Sequence, residues 1–133
     1  MNLHSKVLMM ISALFLAVMG VGLSFLPQEF LTHIKSPAEG FVVGAVELMG
    51  ALYLAFAALN WAAKGILIGG IYARPVALAN FMHFAIGASI LVKRMPESTP
   101  PVMLTLAGCY IVLGVWFGLV LFTHPATRDS QGD

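Results

Sequence analysis

Four long apolar runs constrain this chain more than any other feature: Val7–Leu26, Phe41–Leu59, Val76–Val92 and Val102–Thr123. Each is close to the roughly 20 residues that a helix needs to cross a bilayer. Lipid offers a backbone no hydrogen-bond partner, so only helices and closed barrels span it. Barrel strands alternate polar and apolar residues, and these runs do not. The reading is all-α: a transmembrane four-helix bundle with antiparallel, up-down topology. Composition agrees with it. Hydrophobic residues make up 59% of the 133 and charged residues 10%, against about 25% charged in an average soluble domain. A soluble fold of this size has too small a core to hide that much apolar surface.

The runs organise residues 1–133 as one integral membrane domain. Helices are expected over about 7–26, 37–60, 75–93 and 101–123, with an interfacial segment over 65–74. The first run is too long for a signal-peptide core and no A-x-A site follows it, so it reads as a retained helix. Pro27–Ser36 reads as a short polar loop. It ends in Ser36-Pro37-Ala38-Glu39, where Ser36 can cap helix two, Pro37 suits its first turn and Glu39 can close a capping box. Pro96, Pro100 and Pro101 stop helix three and start helix four. Trp61 and Lys64, with Asn60 before them, read as an interfacial anchor. Arg74 marks the same surface at the other end of the glycine-rich Gly65–Ala73, with Pro75 in the first turn of helix three.

Charge and cysteine content exclude several classes. The formal charge is +1 with no basic run, which argues against nucleic acid as a partner. Cys109 is the only cysteine, so no internal disulfide forms. No Cys/His spacing suits a metal, the eight methionines are scattered, and no nucleophile–base pair or phosphate loop appears. With both termini on one side, that side carries Lys6, Lys64, Arg74 and Arg128, against Lys35, Lys93 and Arg94 on the other. This four-to-three bias places both termini in the cytoplasm.

Polar residues inside the runs are the candidate site. Glu47 lies within the second run, where an ionised side chain costs about 2.5–3.5 kcal/mol on insertion scales. Gly40, Gly44, Glu47, Ala51, Ala55 and Ala58 share one helical stripe of small residues, so Glu47 is expected to point into a close helix–helix contact. Asn80 and His83 lie three apart on helix three, with Gly87 continuing their face. Counting about 1.5 Å per residue, Glu47 and His83 fall within roughly 6 Å in depth. Glu47, Asn80 and His83 are therefore expected to form one buried cluster, either as glue for the bundle or as a ligand, proton or substrate site. Tyr53 and Tyr72 are further candidate ligand contacts. Gly114 and Gly118 form a GxxxG that suits close packing, inside the bundle or between copies.

The four-run layout, with Glu47 inside VELMGALYLAFAALNWAAKG and a polar start to helix three, resembles small bacterial four-helix membrane proteins of the DoxX-like kind. That resemblance implies a bacterial inner-membrane protein, and some members of the group are linked to quinone or sulfur redox systems. A single cysteine does not suit thiol redox chemistry. Three functional readings follow. The leading one is a non-enzymatic accessory subunit or lipophilic-ligand-binding bundle. The others are a small oligomeric transporter or channel, and a quinone-binding redox component with His83 or Tyr53 donating to a carbonyl. Expected partners are membrane lipids and either further copies of the chain or a companion membrane subunit. No motif calls for a cofactor, and the resemblance admits a quinone.

Overall fold

The computed structural model describes residues 3–65, 73–95 and 97–123. Tyr72 and most of the expected interfacial segment lie outside the described residues. The described chain is all-helical: α1 (Leu3–Phe25), α2 (Pro27–His33), α3 (Gly40–Ala63), α4 (Ala73–Lys93) and α5 (Pro101–Thr123). Every helix except α2 is long and apolar enough to cross a membrane. Large apolar side chains face outward on all four, among them Leu14, Leu48, Ile86 and Val112, as expected where the surrounding solvent is lipid.

The expected loop after the first run is instead the short helix α2. Pro27 sits in its first turn, and Pro27 and Leu31 are buried. Leu31 joins Leu23 and Val46 in a small core against which Phe30 and Ile34 pack. The apolar spacing of Phe30, Leu31 and Ile34 gives the segment one inward face, which a polar-loop reading overlooks. The helix closes on Lys35, whose φ of 55° is left-handed. Its N–H donates to Thr32 O and the Ser36 N–H to Leu31 O, at 3.1 and 2.9 Å. That pair of bonds is a Schellman closure with lysine where glycine is usual.

The expected capping box does not form. Glu39 is the extended N-cap residue of α3 and makes no side-chain cap bond, so the helix begins at Gly40, three residues later than expected. Proline at 37 leaves the backbone free to stay extended, and the carbonyl of Glu39 itself takes the first helical bond, from Val43 at 2.8 Å.

The long helices pack as two pairs, α1 along α3 and α4 along α5. Glycines set both contacts. A Cβ on Gly50 would lie 2.6 Å from the Ser24 backbone nitrogen and 2.9 Å from Gly20 O, and one on Gly20 would lie 2.9 Å from Leu54 N. In the second pair Gly114 faces the backbone of Phe84 and Ala85, and Gly118 receives the Phe81 ring. The GxxxG on α5 is thus spent inside the chain. The Phe84 and Phe117 rings stack between α4 and α5 with centroids 5.8 Å apart. By contrast, the backbones of α3 and α4 stay apart and meet through their side chains.

The stripe expected to make the close contact does not make it. Gly40 and Gly44 have nothing within 4 Å of where a Cβ would stand, and Ala51, Ala55 and Ala58 are exposed. The buried face of α3 is Val46, Gly50, Ala57 and Asn60. Gly50→Ala and Gly20→Ala should each therefore lose about 1–3 kcal/mol by overpacking, read as a lowered melting temperature in detergent. Gly44→Ala should melt like the parent chain. Equal melting of all three would reject this packing.

Candidate functional site

Two polar clusters lie among the packed helices, and neither contains Glu47. The first is structural. Asn60 and Asn80, both fully buried, exchange reciprocal amide bonds: Asn60 Nδ2 donates to Asn80 Oδ1 and Asn80 Nδ2 to Asn60 Oδ1, each at 2.7 Å. The second proton of Asn60 goes to Ser12 Oγ at 3.0 Å, and that of Asn80 to Val76 O at 2.9 Å. Ser12 donates onward to Met9 O. Every amide proton is used, which is the condition for a buried polar group to stabilise rather than weaken a core. The network joins α1, α3 and α4.

This arrangement corrects two expectations. Asn60 is not an interfacial anchor but the partner of Asn80. Glu47 is exposed and makes no hydrogen bond or ion pair among the described residues, so the expected Glu47–Asn80–His83 cluster does not assemble. The cause is rotational: the inward face of α3 runs through Val46 and Gly50, and Glu47 lies on the outward side beside Leu48. The expected surface residues Trp61 and Arg74 are exposed. Lys64 Nζ sits 3.1 Å over the Trp61 ring, a cation–π contact.

The second cluster lies in the gap between α3 and α4. Tyr53 of α3 hydrogen-bonds through its hydroxyl to that of Tyr110 on α5. Tyr110 O in turn lies 3.3 Å from His83 Nε2. Gly87 makes this possible: a Cβ there would stand 2.6 Å from Tyr110 Cδ1, so only glycine leaves the phenol its place. Aromatic rings fix the imidazole. Phe56 stacks on it with centroids 5.2 Å apart and planes 23° from parallel, while Tyr53 meets it edge-on at 5.2 Å. Tyr53 and His83 each lie about 15 Å along their helices from Ala63 and Ala73, half of a hydrocarbon core of about 30 Å.

Cavities flank this triad on two sides. A cleft of about 400 Å³ between α3 and α4 is lined by Phe56, Met82 and Ile86 together with Tyr53, His83 and Tyr110. A second space of about 290 Å³ reaches the two tyrosines from the bundle interior, past Met19, Leu23 and Leu106. Tyr53, Gly87, Ile90 and Tyr110 line both. The walls are otherwise apolar, so a guest would find its polar contacts at the triad.

The hydrogen-bond chain has a useful property. With the proton on His83 Nδ1, Nε2 accepts from Tyr110, Tyr110 accepts from Tyr53, and Nδ1–H is the donor left over. With the proton on Nε2, the chain runs the other way and the Tyr53 hydroxyl is left over. Either way one donor remains for a guest, at opposite ends of the chain. Tyr53 and His83 are thus brought together as ligand-facing candidates, with Tyr110 as the group that joins them. Ser12 and Tyr110 are participants that the sequence reading did not assign, and Asn60 is one that it placed at the interface. For Ser12 and Tyr110 the signal was a hydrogen-bonding side chain inside an apolar run, whereas Asn60 stands directly after one. No group of three or more His, Cys, Asp or Glu that could hold a metal occurs among the described residues.

Replacing one asparagine strands the other. Asn80→Leu should lose about 1–3 kcal/mol, and the double change Asn60→Leu/Asn80→Leu should lose less than the sum of the two single changes. Glu47→Leu should leave the melting temperature in detergent unchanged or raise it. A large loss from Glu47→Leu together with a neutral Asn80→Leu would reverse the assignment.

No protein-family model, curated protein or solved structure matches the chain.

Proposed function

We propose that the chain is an integral protein of a bacterial inner membrane, DoxX-like in layout, folded as an antiparallel up-down bundle. Its role in this reading is non-enzymatic: it holds a lipophilic ligand in the α3/α4 cleft, the ligand's polar head against Tyr53, His83 and Tyr110. Four helices of membrane-spanning length support the location. Gly20 of α1 meets Leu54 of α3 and the later Ser24 meets the earlier Gly50, which supports the up-down order, as does the pairing of Asn60 near the end of α3 with Asn80 in the first half of α4. The observation that carries the ligand reading is the convergence of two phenols and an imidazole on an apolar cleft near mid-span. The triad offers a hydrogen-bond donor, so the fitting class is an amphiphile with an acceptor head, and a quinone is its simplest representative.

A short-tailed ubiquinone tests this on purified protein in detergent. Present at a hundredfold excess over its Kd, it should stabilise the fold by about 2.7 kcal/mol. Tyr53→Phe, and Gly87→Ala through displacement of the Tyr110 ring, should each weaken binding by about tenfold, the size of one hydrogen bond. Affinity unchanged by Tyr53→Phe, Gly87→Ala and His83→Leu alike would reject the cleft as the site.

A second reading is favoured by Glu47. An exposed carboxyl within a span, on a face of glycine and alanine, suits coverage by another copy of the chain or a companion subunit. Native mass spectrometry from mild detergent should then show more than one chain per particle, with the extra chain lost in Glu47→Leu. A monomer under the mildest conditions, without a companion, would reject it.

A further inference from the structure

A further apolar groove follows the seam between α1 and α5, on the other side of Met19, Leu23, Phe30, Met103 and Leu106 from the two tyrosines, and these five residues line both spaces. Beside α2 it encloses about 440 Å³, with Val18, Gly22 and Leu26 on one wall and Val102, Thr105 and Cys109 on the other. It continues into a space of about 380 Å³ bounded by Ile11, Gly108, Val112 and Trp116. Phe15, Thr105 and Cys109 line both parts. From Val102 to Trp116 the groove tracks α5 for about 21 Å. One leaflet supplies about 15 Å of hydrocarbon depth, half of a core of about 30 Å. The length suits one extended acyl chain.

The chemistry changes at the α2 end, where Glu29 and His33, one helical turn apart and both exposed, line the groove. His33 Nδ1 lies 3.0 Å from the backbone oxygen of Glu29. A carbonyl only accepts, so Nδ1 carries the proton and Nε2 of the neutral ring is left as an acceptor. The ionised carboxylate of Glu29 is acceptor-only as well. Two acceptors, one of them anionic, complement a primary ammonium, which is cationic and carries three N–H donors. A quaternary ammonium has no N–H to give, and a head whose phosphate has no cation beside it meets the carboxylate as a like charge, even where it carries hydroxyls.

We propose that the α1/α5 groove binds a phospholipid with a primary ammonium headgroup, one acyl chain lying along the groove and the ammonium held between Glu29 and His33. The inference shares the membrane location with the proposed function and uses none of the residues of the tyrosine–histidine triad.

The test is native mass spectrometry of the full chain, titrated in detergent with phosphatidylethanolamine, phosphatidylcholine and phosphatidylglycerol of identical acyl chains. One phosphatidylethanolamine should be retained per chain in preference to the other two. Glu29→Gln should lower its occupancy about fivefold, the upper size of a solvent-facing ion pair, and so remove the preference. Gly22 and Gly108 line the groove with nothing within 4 Å of a Cβ position. Gly22→Leu and Gly108→Leu should therefore fill the groove without lowering the melting temperature, and should block all three lipids. Gly44→Leu, equally open but away from the groove, should leave lipid binding unchanged, and ubiquinone affinity should be unchanged in Gly108→Leu. Equal retention of the three lipids, unaltered preference in Glu29→Gln, or full lipid binding in the groove-filled variants would each overturn the proposal. Loss of ubiquinone binding alone would not bear on it.

Discussion

The reciprocal amide pair of Asn60 and Asn80 is the bond on which the rest of this architecture depends. The long helices assemble as two pairs, each held by close approach at glycines, and the backbones of α3 and α4 stay apart along the seam between the pairs, which side chains bridge. At that seam the asparagines add directional contact to a side-chain core that draws on all four long helices. Lipid is as apolar as leucine, so helices in a membrane gain nothing from hiding leucine from it. Fully satisfied polar contacts and close packing have to hold them instead. Ser12 extends the pair to α1, so one network fixes the relative position of three helices.

A tie near one end of a seam leaves the remainder free to stay apart. Beyond Asn80 along α4, the next polar side chain on that face is His83, and there the helices are separated by the cleft rather than closed over it. The aromatic rings around His83 keep the gap from collapsing: Phe56 stacks on the imidazole, Tyr53 meets its edge, and Tyr110 braces both from α5. Gly87 removes the one side chain that would push Tyr110 aside. Structural and ligand-facing roles are therefore divided between the two clusters. The asparagines spend every proton internally, whereas the triad retains one donor whichever way its chain of bonds points.

The sequence made the helices legible and the rotation of α3 illegible. Apolar length and proline punctuation located all four long helices to within a few residues, because both signals follow from backbone chemistry in lipid. Helix α3, however, carries two stripes of the same period. One runs Gly40, Gly44, Glu47, Ala51, Ala55, Ala58; the other runs Val46, Gly50, Tyr53, Ala57, Asn60. Periodicity cannot rank them. The first has more small residues and an acid, which suggested the inside. The second holds one glycine placed where two backbones cross, and an amide that finds another amide. A single glycine at the crossing point governs approach more than a long run of alanines does, since the clash it avoids is with backbone atoms that cannot move aside. Asn80 and His83 were legible as inward groups, but their partners were not. A partner depends on the rotation of a neighbouring helix, which no local signal on α4 records.

The same rotation explains why Glu47 and Asn60, both polar and both on α3, have opposite surroundings. Thirteen residues apart, they are separated by about 1300° at 100° per residue, which leaves a net offset of roughly 140°. Turning Asn60 inward to meet Asn80 necessarily turns Glu47 outward, so no rotation of a regular helix buries both against α4. The chain therefore has a choice of which polar group to satisfy within itself. The amide is the better candidate. It is neutral, its four hydrogen-bonding sites match another amide in a planar pair, and no charge has to be desolvated. A carboxylate brought to the same place would face acceptors at Asn80 and Val76 as well as donors, with its charge uncompensated. Satisfying the asparagine inside the chain leaves the acid on the outer face, where its partner must come from lipid headgroups, water or another protein.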